Sequence, residues 1–451
     1  MALSRRQLLT RGAAGAGVVA LGNVAGVFGG PLAGAMPASS NGKGTGYGKL
    51  VPDPAGLLDL PPGFHYSIVS IEGQPLPRGG VVPGRFDGTG AFAAPDRGTF
   101  LVRNSEYSGA FSSQTPVVAP PELTYDPGAP GGTTTVHLDK HNAKVDEYIS
   151  LGGTSNNCAG GLTPWGTWLT CEEDTQVAGQ NGNTKDHGFI FEVDPANPSN
   201  NVTPTPLQAM GRLVHEAVVI DPDSGWCYET EDASGPFGLV YRFVPDDTSG
   251  GYGSLRAGGA LSAMACSMNG THVPTLHPFS TIGTTLDVTW KPVPDPAATS
   301  TQVRAQFADT EVTRSRKLEG AWFAHGRAWI VSSFREGEHA GQVWSYDPDT
   351  QTLTLEVFLA IKDVNLPGES PDNITISPYG GMILAEDGDD TQYLLAVDAN
   401  GNTTALARNA FNESEFTGPV FSPDHKTLFA NIQELGHTFA ITGPFSRIGR
   451  E

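Results

Sequence analysis

A cysteine and several carboxylates surround one short stretch of the sequence, "NNCAGGLTPWGTWLTCEED", which spans residues 156–174. Cys158 lies near its start, and Glu172 and Glu173 lie near its end. Carboxylates are hard oxygen ligands that suit Ca²⁺, Mg²⁺ or Fe³⁺, whereas a thiolate suits a transition metal. The stretch therefore predicts a metal site that includes a transition metal. The alternative for Cys158 is a small, buried apolar side chain.

Six segments of the chain share one pattern, in which two short apolar strands are joined by a turn and the second strand ends in polar or acidic residues. The segments are "TGAFAAPDRGTFLVRNSE", "CAGGLTPWGTWLTCEED", "EAVVIDPDSGWCYETED", "EGAWFAHGRAWIVSSFRE", "DNITISPYGGMILAEDGD" and "TGPVFSPDHKTLFANIQE". Outer strands such as "GFIFEVDP" and "GQVWSYDP" follow several of them. A hairpin followed by outer strands is a propeller blade, so the sequence predicts an all-β fold, a six-bladed β-propeller. An eight-stranded barrel or a two-sheet sandwich is the alternative.

The repeat places ligand-type residues at one position of each unit. Counting back six residues from each turn gives Thr89, Cys158, Glu216, Glu319, Asp372 and Thr417. The innermost strands of a propeller line its channel, so we expect these positions to meet the acidic ends of the second strands at one channel mouth. Those ends are Glu106, Glu172, Glu173, Glu231, Asp232, Glu386 and Asp387. Without cations, such clustering costs free energy or keeps carboxylates protonated.

The predicted metal ligands are Glu106, Cys158, Glu172, Glu173, Glu216, Glu319, Glu386 and Asp387. Glu319, Glu386 and Asp387 could instead be solvated loop carboxylates. His215 precedes Glu216, but neighbouring strand residues face opposite ways, so the two are not expected to share a metal. Arg335 in "SSFREGE" is the candidate catalytic residue, because a guanidinium can bind phosphate through two parallel hydrogen bonds. A surface ion pair with Glu336 or Glu338 is the alternative for Arg335.

The composition limits the classes of function. The formal net charge is −21, and removal of residues 1–35, with three arginines and no carboxylate, makes it about −24. The phosphates of a nucleic acid would be repelled, so no nucleic-acid partner is expected. Such acidity suits divalent cations, although a solvated acidic surface is an equally common explanation. No GxSxG, HExxH or phosphate-binding glycine loop occurs, which disfavours serine hydrolases, zincins and P-loop enzymes.

The four cysteines, Cys158, Cys171, Cys227 and Cys266, have no CxxC spacing. Neither a zinc ribbon nor a redox-active pair is therefore indicated. A disulfide between Cys171 and Cys227 stays open, since disulfides persist outside the cytoplasm. We expect Cys171 to be a core residue, because it falls within the apolar strand "WLTCEED".

The N-terminal residues have the features of an export signal. Arg5 and Arg6 form a twin-arginine pair, a Gly/Ala-rich run follows, and small residues near Ala33 and Ala35 suit cleavage. We expect a twin-arginine signal peptide over residues 1–35, a linker over 36–59, and the propeller over 60–451 with an insertion near 246–306. The partner would be the twin-arginine translocation machinery, and the protein would be periplasmic or secreted. A membrane anchor is the alternative, but glycines interrupt the run, and no later segment is apolar enough to span a membrane.

Four motifs resemble those of the secreted PhoX alkaline phosphatases: "NNCAGGLTPWGTWLTCEE", "HEAVVIDPDSGWCYETED", "PDNITISPYGGMILAEDG" and "SEFTGPVFSPDHKTLFANIQELGHTFAITGPF". The resemblance runs from about Leu60 to Phe445. It implies a six-bladed propeller whose mouth holds two Fe³⁺ ions and several Ca²⁺ ions joined by an oxo bridge. It also implies hydrolysis of a small phosphate monoester by a metal-bound oxo or hydroxide nucleophile. The implied thiolate ligand of iron is Cys158, and the implied carboxylate ligands are Glu172 or Glu173, Glu216, Glu319, Glu386 and Asp387.

The sequence departs from the family pattern at Ser105, where a histidine is expected, and the chain is shorter than the well-known phosphatases of the family. Two other functions fit the acidic mouth. One is a calcium-dependent lactonase or organophosphate hydrolase of propeller type. The other is an exported calcium-binding propeller without catalysis.

Overall fold

The computed structural model describes residues 46–108, 115–333, 340–360, 368, 370–388, 391–398 and 401–448. The predicted signal peptide and the candidate catalytic residue Arg335 lie outside these ranges. Within them the regular structure consists of strands and short 3₁₀ turns, so the prediction of an all-β fold is confirmed. No helix in the described ranges is long and apolar enough to cross a membrane.

The strands are β1 Leu58–Asp59, β2 His65–Ile71, β3 Phe86–Ala93, β4 Thr99–Ser105, β5 Gly131–Leu138, β6 Lys144–Thr154, β7 Asn157–Leu162, β8 Trp168–Glu172, β9 Ile190–Val193, β10 His215–Ile220, β11 Cys227–Glu231, β12 Gly238–Pro245, β13 Gly259–Met268, β14 Thr271–Val273, β15 Thr285–Pro292, β16 Arg314–Ser315, β17 Leu318–Ala324, β18 Arg327–Ser332, β19 Ala340–Asp347, β20 Thr352–Ala360, β21 Pro371–Ile376, β22 Met382–Glu386, β23 Tyr393–Val397, β24 Thr403–Asn409, β25 Phe416–Phe421, β26 Thr427–Ile432 and β27 His437–Thr442. The 3₁₀ turns are Pro121–Leu123, Pro198–Asn201, Gln208–Met210, Ser254–Ala257, Val303–Gln306 and Phe445–Arg447.

Six hairpins form the centre of the molecule, and each corresponds to one of the six sequence repeats. Their first strands are β3, β7, β10, β17, β21 and β25, and each of these inner strands contacts the next, with β25 contacting β3 to close a ring. The N-terminal strand β2 pairs with β27, so the start of the described chain completes the last sheet. This arrangement of hairpins and outer strands around a closed ring is a β-propeller, as the repeat predicts.

The six separate blades that the sequence predicts are not found. The strands form five sheets, ordered β3-β4-β5-β6, β7-β8-β9, β1-β24-β23-β22-β21, β2-β27-β26-β25 and an 11-stranded sheet. The large sheet contains two of the six hairpins, because β15 pairs with both β13 and β20 and joins their sheets edge to edge. Strands β13, β14 and β15 all lie within residues 246–306, where the sequence predicts an insertion.

The inner ring is narrow because glycines let neighbouring strands approach closely. A Cβ atom added at Gly161 of β7 would lie 1.6 Å from the carbonyl oxygen of Val218 on β10. One added at Gly320 of β17 would lie 2.8 Å from the carbonyl oxygen of Asp372 on β21. A side chain at either position would push the strands apart, so these glycines keep neighbouring inner strands close together.

The channel inside the ring is mainly apolar. It contains a cavity of about 260 Å³ that residues from all six inner strands line, among them Gly88, Ala159, Val219, Ala321, Ile374 and Pro419. The rest of the core lies between neighbouring sheets, where side chains such as Phe416 and Trp344 are fully buried. The apolar channel offers no hydrogen-bond partners to polar groups at its mouth, so charges there need partners within the mouth.

Candidate metal centre

A β-bulge at the start of each inner strand places one side chain at the channel mouth. In β7, Asn157 pairs with Glu172, but the next pair is Gly160 with Thr170, so Cys158 lies in the bulge. The same break follows the first residue of β3, β10, β17 and β21, and it comes one residue later in β25. Bulges redirect side chains next to functional sites. The second residues of the six inner strands are Asp87, Cys158, Glu216, Glu319, Asp372 and Thr417.

The residue before four of the inner strands has an unusual backbone conformation. Arg85, Asn156, Lys317 and Ser370 have φ angles of 49°, 52°, 40° and 37°. Residues other than glycine rarely adopt this left-handed conformation, which costs about 1 kcal/mol or more per residue. Four equivalent residues share the conformation in four different hairpins, so the fold holds the backbone in this state at four of the six places where an inner strand begins.

The first cluster, which we call the thiol group, consists of Glu106, Cys158 and Glu173. One ligand atom from each lies within 4.8 Å of the others, and all three residues are buried. The sulfur of Cys158 lies 3.7 Å from Oδ2 of Asp87. Burial raises the pKa of the Cys158 thiol well above its usual value, and the charges of Asp87 and Glu216 raise it further. Without a cation the sulfur stays protonated, and a bound cation would favour the thiolate.

The second cluster, the acidic group, consists of Glu216, Glu319 and Asp372, whose ligand atoms also lie within 4.8 Å of one another. Glu216 is completely buried, and neither of its carboxylate oxygens has a hydrogen-bond partner among the described residues. Burial and the neighbouring carboxylates raise the pKa of Glu216 and Asp372 well above the usual values. Burial raises the pKa of Glu319 to about 7. A buried carboxylate with both oxygens unsatisfied is costly, and a cation would remove that cost.

The third cluster, the rim group, consists of Asp372, Asp387 and Glu415, again with ligand atoms within 4.8 Å of one another. Asp372 belongs to both the acidic group and the rim group, so the two clusters are continuous. Burial raises the pKa of Glu415 well above its usual value, and the charges of Asp387 and Asp87 raise it further. The three groups together form an oxygen-rich mouth with one sulfur, in which several cations could bind close together.

Two basic side chains reach into this acidic mouth. The Nζ atom of Lys317 lies 2.8 Å from Oε1 of Glu319 and 3.9 Å from Oδ2 of Asp387. Burial lowers the pKa of Lys317, but Glu319 and the other nearby carboxylates raise it well above its usual value, so the amine is charged. Arg85 donates from Nη2 to Glu106 at 3.0 Å. Both residues directly precede inner strands, those of the first and fourth hairpins of the ring.

A family model for PhoX alkaline phosphatases matches residues 45–146 and 141–436, which is most of the chain. The chain belongs to the PhoX alkaline phosphatase family. It is therefore a phosphatase-type hydrolase. Three of the four motifs that resemble this family lie within the matched residues, and the fourth, residues 414–445, begins within them. No curated protein matches the chain.

Three solved structures illustrate the likeness in fold. A gluconolactonase from Xanthomonas campestris is 12% identical, with a TM-score of 0.46, and the match covers 88% of this chain and 98% of that one. An auxiliary nutrient binding protein from Bacteroides ovatus is 12% identical, with a TM-score of 0.42 and coverage of 84% and 77%. The Cps50 (Swd1) β-propeller domain of Myceliophteria thermophila is 10% identical, with a TM-score of 0.41 and coverage of 80% and 97%.

The structure does not bring every predicted ligand of this PhoX-family chain into the three groups. Oε1 of Glu172 accepts a hydrogen bond from the backbone of Ser155 at 2.9 Å and lies 2.6 Å from Nδ1 of His187. Oε2 of Glu172 accepts from the backbone amides of Gly188 at 2.8 Å and Phe189 at 3.0 Å. These contacts turn the carboxylate of Glu172 away from the mouth. Between the two neighbouring candidates, the structure therefore places Glu173 in the thiol group and gives Glu172 a structural role.

Two other acidic strand ends are also used in structural contacts. Glu386 accepts hydrogen bonds from the backbone amides of Gly368 and Tyr393 and lies outside the three groups. Glu231 accepts from Nη1 of Arg304 at 2.9 Å. In β4, β8 and β22 the last residue pairs within the sheet, and the residue after it, Glu106, Glu173 or Asp387, belongs to one of the three groups.

Sequence reasoning missed several residues that the mouth contains. Asp87, beside Cys158, was overlooked because the first hairpin is longer than the others, so the six-residue count lands on Thr89. Glu415 and Lys317 lie directly before inner strands, a position that the six-residue count does not reach. A search for charged residues within two positions of each predicted strand start would have found all three.

All four cysteines lie in the described ranges, and none of them forms a disulfide. Cys171, Cys227 and Cys266 are buried among apolar side chains in the cores between sheets. Cys171 is therefore a core residue, as the sequence predicts, and the Cys171–Cys227 bridge that the sequence left open is absent.

Substituting Glu172 with glutamine is expected to destabilise the fold without emptying the metal site. The change removes the charge of one of the two carboxylates that contact buried His187, the other being Asp126. Loss of a charged hydrogen-bond partner in the interior costs about 1–3 kcal/mol. Chemical denaturation of the metal-free protein should show this loss, while metal content per folded molecule stays at the wild-type value. Glu173→Gln is the matched control, and it should lower the metal content per folded molecule and leave the stability of the metal-free protein unchanged. Metal loss in Glu172→Gln with unchanged stability would contradict the assignment.

Proposed function

We propose that this PhoX-family protein is an exported, metal-dependent phosphatase that hydrolyses phosphomonoesters at an iron and calcium cluster in the channel mouth. The observation that carries the proposal is the buried acidic group. Glu216 has no hydrogen-bond partner for either oxygen among the described residues, and two further carboxylates lie within 4.8 Å of it. Such an arrangement destabilises the fold unless cations bind there.

The donor atoms indicate which ions fit. The thiol group combines a sulfur with two carboxylates, a set that suits a transition metal, and Fe³⁺ is the ion that the family resemblance implies. The rim group contains oxygen ligands only, and two of its three residues are only partly buried, which suits the flexible coordination of Ca²⁺. We therefore assign iron to the region of Cys158, and calcium to the region of Asp387 and Glu415.

Bound ions of this kind supply positive charge that neutralises a phosphate group and lower the pKa of the attacking water. The chain's own residues hold those ions and shape the site around the phosphate. Glu106, Cys158, Glu173, Glu216, Glu319, Asp372, Asp387 and Glu415 are the proposed metal ligands. Asp87 orients Cys158, because its Oδ2 accepts a hydrogen bond from the Cys158 thiol at 3.7 Å.

Lys317 is the proposed phosphate-binding residue among those described. Its ammonium lies between Glu319 and Asp387, where the acidic group meets the rim group. An ammonium at this place can donate hydrogen bonds to phosphate oxygens once cations hold the neighbouring carboxylates. Arg335 stays a second candidate from the sequence, and it lies outside the described residues. No serine nucleophile is required.

Export is proposed from the sequence alone. A twin-arginine signal over residues 1–35 would hand the folded protein to the twin-arginine translocation machinery, which would deliver it to the periplasm or the medium. Residues 36–59 would link the signal to the propeller. Folding before export suits a protein whose metal ligands must be assembled first.

The proposed function is tested with 4-nitrophenyl phosphate and protein purified without chelator. We expect turnover that a chelator abolishes, because the ligands then lose their cations. Lys317→Met should lower kcat/KM by about 100-fold, because the transition state loses the hydrogen bonds that the ammonium donates. Lys317→Arg keeps a cationic donor and should retain part of the activity. Lys426→Met, an exposed substitution in a hairpin turn on the opposite face, is the control and should change nothing. Absence of any chelator-sensitive turnover would refute the proposal.

A further inference from the structure

One position in the second strand of each hairpin lies close to the bulge of an inner strand. It is the residue before the last of the strand, and in β11 it is Thr230, which lies between two residues that pair with either side of the bulge in β10. The residues at this position are Asn104, Cys171, Thr230, Val331, Ala385 and Asn431. The two asparagines and the threonine are buried. Because buried amides and hydroxyls need hydrogen-bond partners, these three side chains need acceptors inside the ring.

The three polar side chains donate hydrogen bonds to the next hairpin around the ring. In each case the acceptor is the backbone carbonyl of the second residue of an inner strand, the residue that the bulge places at the mouth. The links run from the first hairpin to the second, from the third to the fourth, and from the sixth to the first. The pairs are Asn104 to Cys158 at 2.7 Å, Thr230 to Glu319 at 2.7 Å, and Asn431 to Asp87 at 3.0 Å. In the other three hairpins the position is cysteine, valine or alanine, which have no amide or hydroxyl for such a link.

Both polar atoms of the Asn104 amide are used. Nδ2 donates to the carbonyl oxygens of Cys158 and Ala159, each at 2.7 Å, and Oδ1 accepts from Nε1 of Trp168 at 2.9 Å. Cys158 and Ala159 are the two residues of the β7 bulge. A bulge interrupts the hydrogen bonds of the regular ladder, and Asn104 gives a donor to both of these carbonyls. A side chain of the first hairpin therefore fixes the backbone of the second at Cys158.

The backbone next to Cys158 needs such support from outside its own strand. Asn156, two residues before it, has a φ angle of 52°, and Gly160 and Gly161 follow the bulge. Glycine adds backbone freedom, so the segment does not by itself hold the sulfur toward the other ligands of the thiol group. Groups that orient a metal ligand without touching the metal contribute about 10- to 100-fold to metal affinity.

We propose that Asn104, Thr230 and Asn431 are positioning residues, each of which fixes a mouth residue of the neighbouring hairpin through its backbone carbonyl. Asn104 binds both carbonyls of the β7 bulge and sets the direction of the Cys158 sulfur. This inference rests on the proposed metal-dependent function and deepens it, because it names the residues that hold the ligands in place. Each link acts on one mouth residue, so the loss of a link should change the cation site of that residue.

The test is a titration of chelator-treated protein with Co²⁺, followed through the charge-transfer absorption that a thiolate gives with this ion. Co²⁺ accepts oxygen and sulfur ligands, so the absorption reports on Cys158 without any need for turnover. We expect Asn104→Leu, a change at similar volume, to weaken Co²⁺ binding at the thiolate about tenfold and to shift the absorption band at saturation. Thr230→Val should change this binding less than about twofold, because its acceptor Glu319 belongs to the acidic group.

Asn201→Leu is the matched control for a general loss of stability. Asn201 is also buried, and its amide exchanges hydrogen bonds with the backbone of Asp194 at 2.8 Å and 3.2 Å. It lies beyond the end of β9 that is remote from the mouth, since Val193 at that end pairs with Trp168 at the start of β8. This variant should unfold more easily and leave the Co²⁺ affinity and the absorption band unchanged.

An unchanged affinity and band in Asn104→Leu would overturn the inference, and so would equal changes in Asn201→Leu or Thr230→Val. If Asn104→Leu does not fold, Asn104→Asp decides, because it keeps the shape and the bond from Trp168 but loses at least one donor. It should weaken Co²⁺ binding in the same way, and wild-type binding would overturn the inference. A wild-type protein without the thiolate absorption would refute the proposed metal centre and this inference with it. A wild-type protein with the absorption but without phosphatase turnover would refute the proposed function alone.

Discussion

Replacing Glu216 with glutamine is expected to lower phosphatase turnover by at least about 100-fold while stabilising the metal-free protein. Loss of activity follows because an amide is a weaker ligand than a carboxylate, and even residues that only support ligands contribute about 10- to 100-fold. The gain in stability follows because Glu216 is fully buried, beside Glu319 and Asp372, without a hydrogen-bond partner among the described residues. Glutamine has no proton to lose, so it removes the free-energy cost of keeping this buried group protonated at neutral pH, at nearly constant volume.

The measurement is chemical denaturation of wild-type and Glu216→Gln protein, each with and without chelator. We expect the variant to be more stable by about 1–3 kcal/mol in chelator and less stable than wild type when metals are present. Glu229→Gln is a matched control, because Glu229 is an equally buried carboxylate on the neighbouring strand β11 that lies outside the three groups. It should leave metal content unchanged. A Glu216→Gln variant that is less stable in both conditions would show that this carboxylate has a structural role.

The stabilisation that metals give is expected to grow as the pH rises from about 5 to about 8. Burial raises the pKa of Glu319 to about 7, above its ordinary value, and the pKa of Glu216, Asp372 and Glu415 is also raised. A carboxyl group with a raised folded-state pKa binds its proton more tightly in the folded than in the unfolded protein. The free energy of unfolding is therefore highest below the unfolded-state pKa and falls as the pH rises through the folded-state pKa. The metal-free protein should therefore lose stability across this window.

Metal binding reverses this trend, because the cations hold the carboxylates in their ionised form. The gap in unfolding free energy between metal-bound and metal-free protein should widen by roughly 3 kcal/mol from Glu319 alone. The difference between metal-bound and metal-free protein cancels the effect of groups that titrate in both forms. His215 is one example, because burial lowers its pKa to about 4. Thermal or chemical unfolding at several pH values, with calcium or with chelator, gives the measurement. A gap that is constant over this range would mean that the carboxylates are already ionised without metal.

The propeller could be predicted because the same hairpin recurs and because its turn residues are easy to recognise. Cys158, Glu216 and Glu319 were found because they lie at a constant distance before the turn in hairpins of similar length. Asp87 was missed because β3 has eight residues where β7 has six, which shifts the count. The sequence could not predict that the third and fourth hairpins share one sheet. The strand that joins them, β15, belongs to a segment without the repeat.

The choice between Glu172 and Glu173 could not be made from the sequence. Neighbouring residues at the end of a strand face opposite ways, and one residue of register decides which of them reaches the mouth. That register depends on the bulge beside Cys158 and on the loop that brings His187 to Glu172. Neither feature has a sequence signal in a single chain.

The most direct test of the central claim is elemental analysis and a visible spectrum of the exported protein, purified without chelator, beside Cys158→Ala. A ferric centre with a thiolate ligand absorbs visible light, whereas Ca²⁺ does not. We predict iron together with calcium and a coloured wild-type protein, and loss of both iron and colour in the variant. A colourless wild-type protein that contains calcium alone, with a metal content unchanged by Cys158→Ala, would contradict the account.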